Sequence, residues 1–189
     1  GYASVPGQNP LTTISSATTS YPQAQTGSRS DCVSTTACTY DEEMTNFANW
    51  WAYYHTRMQM TKSAASHGFS VLSTNVRVGY MSLNNNTDSD FLDIADVATE
   101  SGGQKSKWYG KLTAAVPSNS TPLRTALSTA GSDYAGKLTS TINRQSATHP
   151  KQYACQRNYT LLSTDGYWNE SSSPKKVDGT NSIGDQDSG

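Results

Sequence analysis

The chain has 189 residues and a mass of 20.4 kDa, which suits one domain or one domain with a small appendage. Apolar residues make up 34% of it, charged residues make up 15%, and the formal net charge is −1; these values exclude a collagen, a coiled coil, a polyelectrolyte tail and electrostatic attraction to nucleic acid. Because no apolar stretch approaches the roughly 18 residues of a membrane span, we expect no transmembrane segment and favour a secreted or surface domain with long polar loops.

The first 38 residues show no hydrophobic periodicity, and their prolines, glycines, serines and threonines predict an irregular Ser/Thr-rich insertion or linker over 1–38. Cys32 and Cys38 enclose five residues of this segment. That spacing favours a short disulfide formed in an oxidising compartment over a metal site, for which no Cys-x-x-Cys exists. Cys155 is left over, so it is either a buried apolar thiol or the partner of a cysteine outside this chain.

The strongest secondary-structure signal begins at Thr39. Thr39 and Glu42 have the spacing of a capping box, in which each side chain accepts a backbone amide of the other residue. An apolar stripe with steps of three and four residues then predicts one long helix over roughly 41–66, stopped by Gly68. The stripe consists of Met44, Phe47, Trp51, Tyr54, Met58 and Ala65. We expect this stripe to pack inwards as core.

Further elements follow at regular intervals. Residues 75–83 are β-rich and mostly apolar on both faces, which predicts a buried strand of a parallel sheet. Helices are predicted over 104–116 and 122–138, the second with a proline at its start. Residues 158–164 form another candidate strand, which ends at Asp165. The apolar stripe of the 122–138 helix consists of Leu123, Leu127, Ala130, Tyr134 and Leu138.

This order of helix, strand, helix and strand predicts an α/β fold over residues 39–189, with parallel strands joined by crossover helices. Only two strands are convincing, and two strands do not form an independent sheet of this kind. Either loops hide further strands or the chain is the middle of a larger domain.

Two oxygen-bearing residues are expected at the carboxyl edge of this sheet, where open parallel sheets bind ligands. Asp165 follows the strand at 158–164, and Thr121 lies in the loop before a helix. A carboxylate and a hydroxyl suit Mg²⁺, Mn²⁺ or Ca²⁺. Alternatively, Asp165 is a turn residue and Thr121 is the N-cap of the helix. Tyr167 and Trp168 are candidates for ligand or partner contact, or for packing within their loop.

Longer strings carry a family resemblance. Two of them resemble the later part of a von Willebrand factor A domain, namely Thr121-Pro-Leu-Arg-Thr-Ala-Leu127 and Tyr159-Thr-Leu-Leu-Ser-Thr-Asp-Gly166. Two further strings resemble the PilY1/PilC family of type IV pilus tip proteins, namely Asn46-Phe-Ala-Asn-Trp-Trp-Ala-Tyr-Tyr-His-Thr-Arg57 and Ser163-Thr-Asp-Gly-Tyr-Trp-Asn169. The resemblance covers about 40–187, which is most of the chain.

The resemblance implies an incomplete von Willebrand factor A-like domain over 39–189, of Rossmann type, with a parallel sheet flanked by helices. In that family a loop Thr and a strand-end Asp complete a metal-ion-dependent adhesion site, which assigns these roles to Thr121 and Asp165. The family's Asp-x-Ser-x-Ser string and its first strand do not occur here. The resemblance therefore implies an internal piece of a larger polypeptide, whose remainder would supply further ligands and a C-terminal β-propeller.

By the same resemblance the chain is expected to be an adhesion and assembly module and not an enzyme. It would be exported through the periplasm to the bacterial cell surface and the extracellular pilus tip. There it would bind minor pilins and a host or abiotic surface ligand, and support pilus extension. The alternative is a structural filament or minor-pilin-like subunit without metal-dependent binding. A hydrolase with Cys155 or a serine as nucleophile is disfavoured, because no Gly-x-Ser-x-Gly occurs and no histidine has a plausible partner.

Overall fold

The computed structural model of this chain describes residues 12–22, 31–84, 90–118, 120–137, 150–164, 166–171 and 173–184. In these residues the fold is mixed α/β, with four helices and two antiparallel sheets of two strands each. The elements are β1 Ser20–Pro22, β2 Ala37–Thr39, α1 Tyr40–Tyr53, α2 Arg57–Ser70, β3 Arg77–Tyr80, β4 Leu92–Asp96, α3 Gln104–Ala114 and α4 Leu123–Tyr134. None of these helices is long and apolar enough to cross a membrane.

The chain divides into two compact units, Gly1–Met60 and Thr61–Gly189. The domain boundary predicted between residues 38 and 39 stays a prediction. No parallel sheet forms among the described residues, because both pairs of strands run antiparallel. The fold class predicted from the sequence is therefore confirmed as mixed α/β, without the parallel von Willebrand factor A-like sheet.

A small β-ribbon organises the first unit. Strands β1 and β2 pair with Tyr21 opposite Cys38, and both of these side chains are buried. The Tyr21 hydroxyl donates to the Ser15 carbonyl at 2.9 Å and accepts from the Ser15 amide at 2.7 Å. Cys38 is disulfide-bonded to Cys32, which confirms the predicted pairing. The segment predicted to be irregular thus contributes, apart from Thr39, both strands of the ribbon.

Helix α1 begins at the predicted capping box. The Thr39 hydroxyl accepts from the Glu42 amide at 3.3 Å, and the Glu42 carboxylate accepts from the Thr39 amide at 2.8 Å. The same carboxylate accepts from the Val33 amide at 2.8 Å, so it also holds the loop that the disulfide closes. The N-terminal signal was readable from the sequence because both partners lie within three residues.

The helix predicted over 41–66 is two helices. Helix α1 ends at Tyr53 and α2 begins at Arg57, and residues 54–56 between them are called the helix break from here on. At Tyr54 the backbone has φ −137° and ψ −9°, which departs from helical geometry. The predicted end at Gly68 is also wrong, because α2 continues to Ser70. A glycine inside a helix costs only about 1 kcal/mol, which packing and neighbouring residues can offset.

The apolar stripe of α1 is exposed. No residue of α1 is buried, and Phe47, Trp51 and Tyr54 are 45%, 54% and 43% exposed. The prediction that this stripe forms core is wrong for the described residues. Among the described helices and strands, α1 contacts only the two three-residue strands of the ribbon, which are too small to cover the stripe. The rings pack on each other instead, with the centroids of Phe47 and Trp51 6.0 Å apart.

The second unit contains a β-hairpin in place of a parallel strand. Residues 75–83 include strand β3, as predicted, but β3 pairs antiparallel with β4 and its residues are only half-buried. Gly79 is required at this crossing, because a Cβ there would lie 2.7 Å from Ile94 Cγ1 and 2.8 Å from the Leu92 carbonyl. Strand β4 was not predicted, since its five residues include two aspartates and carry little β signal.

Helix α3 packs on this hairpin and forms the core of the second unit, which confirms the helix predicted over 104–116. Its buried face consists of Gln104, Trp108 and Leu112, one helical turn apart. The Gln104 side-chain amide donates to the carbonyls of Val78 at 2.8 Å and Asp93 at 2.6 Å, and so joins both strands to the helix. Phe69 of α2 stacks on Trp108 with ring centroids 4.0 Å apart.

Helix α4 confirms that a helix follows Pro122, but the predicted range 122–138 is too long, because α4 ends at Tyr134. Its buried face also differs from the predicted stripe. The buried residues are Ala126, Thr129, Ala130 and Asp133. Leu127, which was predicted to face inwards, is exposed, and Leu138 lies outside the described residues. Among the described residues, α4 contacts irregular segments of the chain and no other helix or strand.

Residues 158–164 form neither a strand nor a helix, so the second predicted strand is wrong. Tyr159 and Leu161 are exposed, and no β-pairing of this segment occurs among the described residues. The segment is held against α4 by the Tyr134 hydroxyl, which donates to the Tyr159 carbonyl at 2.8 Å. When a run of β-forming residues has no neighbouring strand, its backbone groups form hydrogen bonds with side chains or water instead.

Candidate functional site

Two of the loops that carry the predicted site residues meet at the N-terminus of α4. The Asn169 amide donates to the Thr121 carbonyl at 3.2 Å, and the Thr121 amide donates to the Asn169 side-chain oxygen. This reciprocal pair joins the loop before α4 to the segment that follows Asp165. Asp165 itself lies outside the described residues, so its position stays a prediction.

Asn84 also holds the loop before α4. Its side-chain amide donates to the Ser118 carbonyl at 2.9 Å and to the Ser120 carbonyl. Asn84 follows strand β3, so the segment after this strand reaches the same place as Thr121 and Asn169. Three separate parts of the second unit therefore converge on the N-terminal end of α4.

Glu170 is the buried acidic residue of this site. Its side chain is 2% exposed, and its carboxylate accepts from Arg124 Nε at 2.8 Å and from the Thr125 amide at 3.1 Å. Thr125 lies in the first turn of α4, where backbone amides lack helical partners and the helix dipole favours negative charge. Glu170 thus satisfies part of the helix end from outside the helix.

Thr121 is half-buried, and its hydroxyl makes no hydrogen bond to the described residues. The alternative that Thr121 caps α4 is wrong, because the N-cap position is Pro122 and no side chain of this position caps the helix. The hydroxyl is therefore available as an oxygen ligand, which fits the hard-donor chemistry that Mg²⁺ requires. The metal-binding roles of Thr121 and Asp165 stay predictions.

Tyr167 and Trp168 lie next to the Thr121–Asn169 contact and are open to solvent. Tyr167 is 96% exposed and Trp168 is 58% exposed. The alternative that both rings pack within their loop is wrong for Tyr167, which leaves almost all of its surface uncovered. Exposed aromatic rings beside an ordered backbone offer contact area at a low entropic cost. Their contact with a ligand or partner stays a prediction.

The two disulfide-bonded cysteines offer no thiolate site. Cys32, Cys38 and Glu43 place possible ligand atoms within 4.8 Å of one another, but the two cysteines are disulfide-bonded and cannot bind a metal as thiolates. Cys155 is exposed, so the alternative of a buried apolar thiol is wrong.

Residues 174–183 form an ordered turn beside α4. Lys175 and Ser182 form an antiparallel bridge, and the Lys175 carbonyl accepts from the Ser128 hydroxyl of α4 at 2.6 Å. Inside the turn, the Asp178 carboxylate accepts from the amides of Thr180 and Asn181, both at 2.9 Å, and from the Asn181 side chain at 2.7 Å. These hydrogen bonds hold the pKa of Asp178 well below its ordinary value, and the bond from the Asn181 side chain has the largest effect.

Sequence reasoning missed Glu170, because no local pattern marks it. Glu170 acts on a backbone amide 45 residues earlier in the chain. The one sequence signal for its role is that an acidic residue lies close to Tyr167 and Trp168, and nothing in the sequence pairs that residue with α4.

The chain is similar to three curated relatives from Pseudomonas aeruginosa, each described as "Type IV pilus biogenesis factor PilY1". The relative of strain UCBPP-PA14 is 30% identical over 154 residues, which are 79% of this chain and 13% of the relative. The relative of strain PAK is 30% identical over 146 residues, which are 67% of this chain and 12% of the relative. The chain thus spans about an eighth of the length of these relatives. No family model and no solved structure matches it.

Proposed function

This chain is PilY1-like, and on that premise we propose that it acts in type IV pilus biogenesis at the bacterial cell surface. The proposal rests on one observation, the 30% identity over 154 residues to a protein described as a type IV pilus biogenesis factor. The proposed location is the extracellular pilus tip, reached by export through the periplasm. A disulfide between Cys32 and Cys38 suits such an oxidising route.

The proposed role is binding. Within it, the chain contacts minor pilins and a host or abiotic surface ligand, and supports assembly and extension of the pilus. Tyr167 and Trp168 are the proposed contact residues, and their exposure beside an ordered backbone supports this choice. No catalysed reaction is part of the proposal.

We further propose a von Willebrand factor A-like context for the second unit, in which Thr121 and Asp165 contribute to a metal-ion-dependent adhesion site. The available Thr121 hydroxyl supports this, as does the convergence of three segments at the start of α4. Bound Mg²⁺, Mn²⁺ or Ca²⁺ would supply a Lewis-acidic centre for an acidic group of the partner. Two protein ligands hold such an ion weakly, so further ligands would have to come from sequence outside this chain.

The experiment separates adhesion from assembly in the native host. A strain that lacks the gene is complemented with the full-length protein, either wild type or carrying Tyr167→Ala together with Trp168→Ala. Surface pili are quantified in the sheared fraction, and attachment of the cells to a surface is counted. We expect attachment to fall about tenfold while the amount of pili stays normal, because truncating two exposed aromatic rings removes contact energy without touching packed core.

The matched control is Tyr153→Ala together with Leu161→Ala, which also truncates two exposed apolar side chains of the second unit. This control is expected to behave like the wild type in both assays. A joint loss of pili and attachment in the Tyr167 and Trp168 variant would assign these residues to assembly. Normal values in both assays would contradict their proposed contact role.

A further inference from the structure

The helix break interrupts a sequence that otherwise favours one helix. Residues 40–67 contain no proline or glycine, and the apolar stripe keeps its helical spacing across the break. Helical hydrogen bonding continues up to the break, with the Tyr54 amide donating to the Trp50 carbonyl at 2.8 Å. It resumes with the Met60 amide, which donates to the Thr56 carbonyl at 2.9 Å. Neither a proline nor a glycine therefore causes the break.

Gln59 takes both ends of one missing backbone hydrogen bond. In a continuous helix the Thr56 amide would donate to the Ala52 carbonyl four residues earlier. In the structure the Thr56 amide donates to Gln59 Oε1 at 3.2 Å, and Gln59 Nε2 donates to the Ala52 carbonyl at 3.0 Å. The side-chain amide of Gln59 is thus inserted between the two backbone groups that a continuous helix would join.

The neighbouring contacts act in the same direction. The Gln59 amide donates to the Thr56 hydroxyl at 3.1 Å, so Thr56 and Gln59 reproduce the reciprocal pattern of a capping box at the start of α2. His55 Nδ1 contacts the Trp51 carbonyl, which would otherwise accept from the His55 amide, and its ring stacks on Trp51 at 4.0 Å. These contacts are local, and the hydrogen-bonded groups lie near the protein surface.

We propose that Gln59 is a latch that keeps the helix interrupted at the helix break, and that its release makes the backbone helical from α1 through the break into the first residues of α2. In the continuous state the backbone pairs Thr56–Ala52 and His55–Trp51 would form in place of the side-chain contacts to these same groups. The Gln59 backbone amide, which donates to the Thr56 hydroxyl, would donate to the His55 carbonyl instead. This exchange of side-chain for backbone hydrogen bonds gives the segment two alternative states. In the continuous state the apolar stripe would run unbroken along one face. This inference is independent of the proposed function.

Amide hydrogen exchange and Cα chemical shifts of the full chain test the latch, with Gln59→Ala as the releasing variant. If the helix becomes continuous, the Thr56 amide gains the Ala52 carbonyl as acceptor. We then expect its exchange to slow about fivefold, because an acceptor inside a continuous helix replaces an acceptor on an exposed side-chain contact. The Cα shifts of residues 54–56 are expected to move to helical values. If the break persists, the Thr56 amide has lost its acceptor and exchanges faster, and that result, like unchanged exchange, would overturn the proposal.

The control is Thr61→Ala, an exposed position of α2 that gains helix propensity in the same way but does not touch the helix break. It is expected to leave residues 54–56 unchanged. Gln59→Glu is the second variant, because its carboxylate still accepts from the Thr56 amide but no longer donates to the Ala52 carbonyl. We expect smaller changes than for Gln59→Ala, and equal changes would rule out the proposed insertion of the side-chain amide.

Discussion

Asp178 shows how one exposed carboxylate can order a turn. It accepts three hydrogen bonds from Thr180 and Asn181, while Gly179 between them adopts φ +74°, which favours glycine. These hydrogen bonds are made to the ionised carboxylate and lower its pKa. The dipeptide Asp-Gly is typical of turns, but only the structure shows that the Asp178 carboxylate accepts three hydrogen bonds.

The first prediction is that acid opens this turn. Because the folded-state pKa of Asp178 lies below the roughly 3.9 of an unfolded aspartate, its contribution is fully present above that value and is lost as the pH falls towards the folded-state pKa. We expect the NMR amide shifts of Thr180 and Asn181 to move only at pH values below the pKa of an ordinary aspartate. A midpoint near 4 would contradict the hydrogen-bonded geometry.

The matched variants are Asp178→Ala and Asp178→Asn. The first removes every acceptor, so the shifts of the turn should resemble the acid form at all pH values. The second keeps one carbonyl acceptor but has no titratable group, so the turn should persist in part and the acid transition should disappear.

At the scale of elements, α4 depends on a residue outside itself. The position before the helix is Pro122, which has no side-chain donor or acceptor, and Glu170 accepts from the first turn in its place. The helix itself was predictable from its apolar spacing and its proline. Its cap was not, because the bond between Glu170 and Thr125 exists only after the two segments meet.

The second prediction is that Glu170→Gln destabilises α4. The neutral amide keeps the size of the side chain but has one acceptor oxygen, so it can accept from Arg124 Nε or from the Thr125 amide, and not from both. The free energy of unfolding is expected to fall by about 1–2 kcal/mol. The expected loss is small because the Arg124 side chain is 50% exposed and regains water. Urea unfolding followed through the NMR signals of α4 measures it. Glu100→Gln, at an exposed carboxylate, is the control, and equal midpoints for the two variants would refute the role of Glu170.

The pair α1 and α2 shows the opposite relation between sequence and structure. The stripe from Met44 to Ala65 predicts a single helix, and the capping box at Thr39 predicts where it begins. The start is confirmed and the continuity is wrong. The reason is that the side chains of Gln59 and His55 contact backbone carbonyls that would otherwise accept helical hydrogen bonds. The spacing of apolar residues carries no information about such contacts.

At the scale of the whole molecule, the predicted metal site has two proposed ligands, Thr121 and Asp165, and would need further ligands. The Thr121 hydroxyl is available and Asp165 is predicted beside it, but divalent cations prefer six or more oxygen ligands. The third prediction is that Mn²⁺ broadens the NMR signals of Thr121 and its neighbours only at concentrations on the order of millimolar. Asp165→Ala is expected to abolish this broadening.

Asp41→Asn, at an exposed carboxylate of the first unit, is the control for that titration and should leave the broadening at Thr121 intact. Broadening at Thr121 that persists in Asp165→Ala would refute the proposed pair of ligands. Micromolar affinity of the 189-residue chain would refute the need for ligands from elsewhere.

Local contacts explain what the sequence by itself determined: the disulfide between Cys32 and Cys38, the capping box at Thr39 and the helices α3 and α4. Each depends on residues close together in the chain or on a repeated spacing along one face. The tertiary structure alone decided the antiparallel pairing of β3 with β4, the exposure of the α1 stripe and the cap that Glu170 provides. These depend on which surfaces and backbone groups are close in space, because a strand pairs, a stripe is buried and a carboxylate caps only where a partner lies within reach.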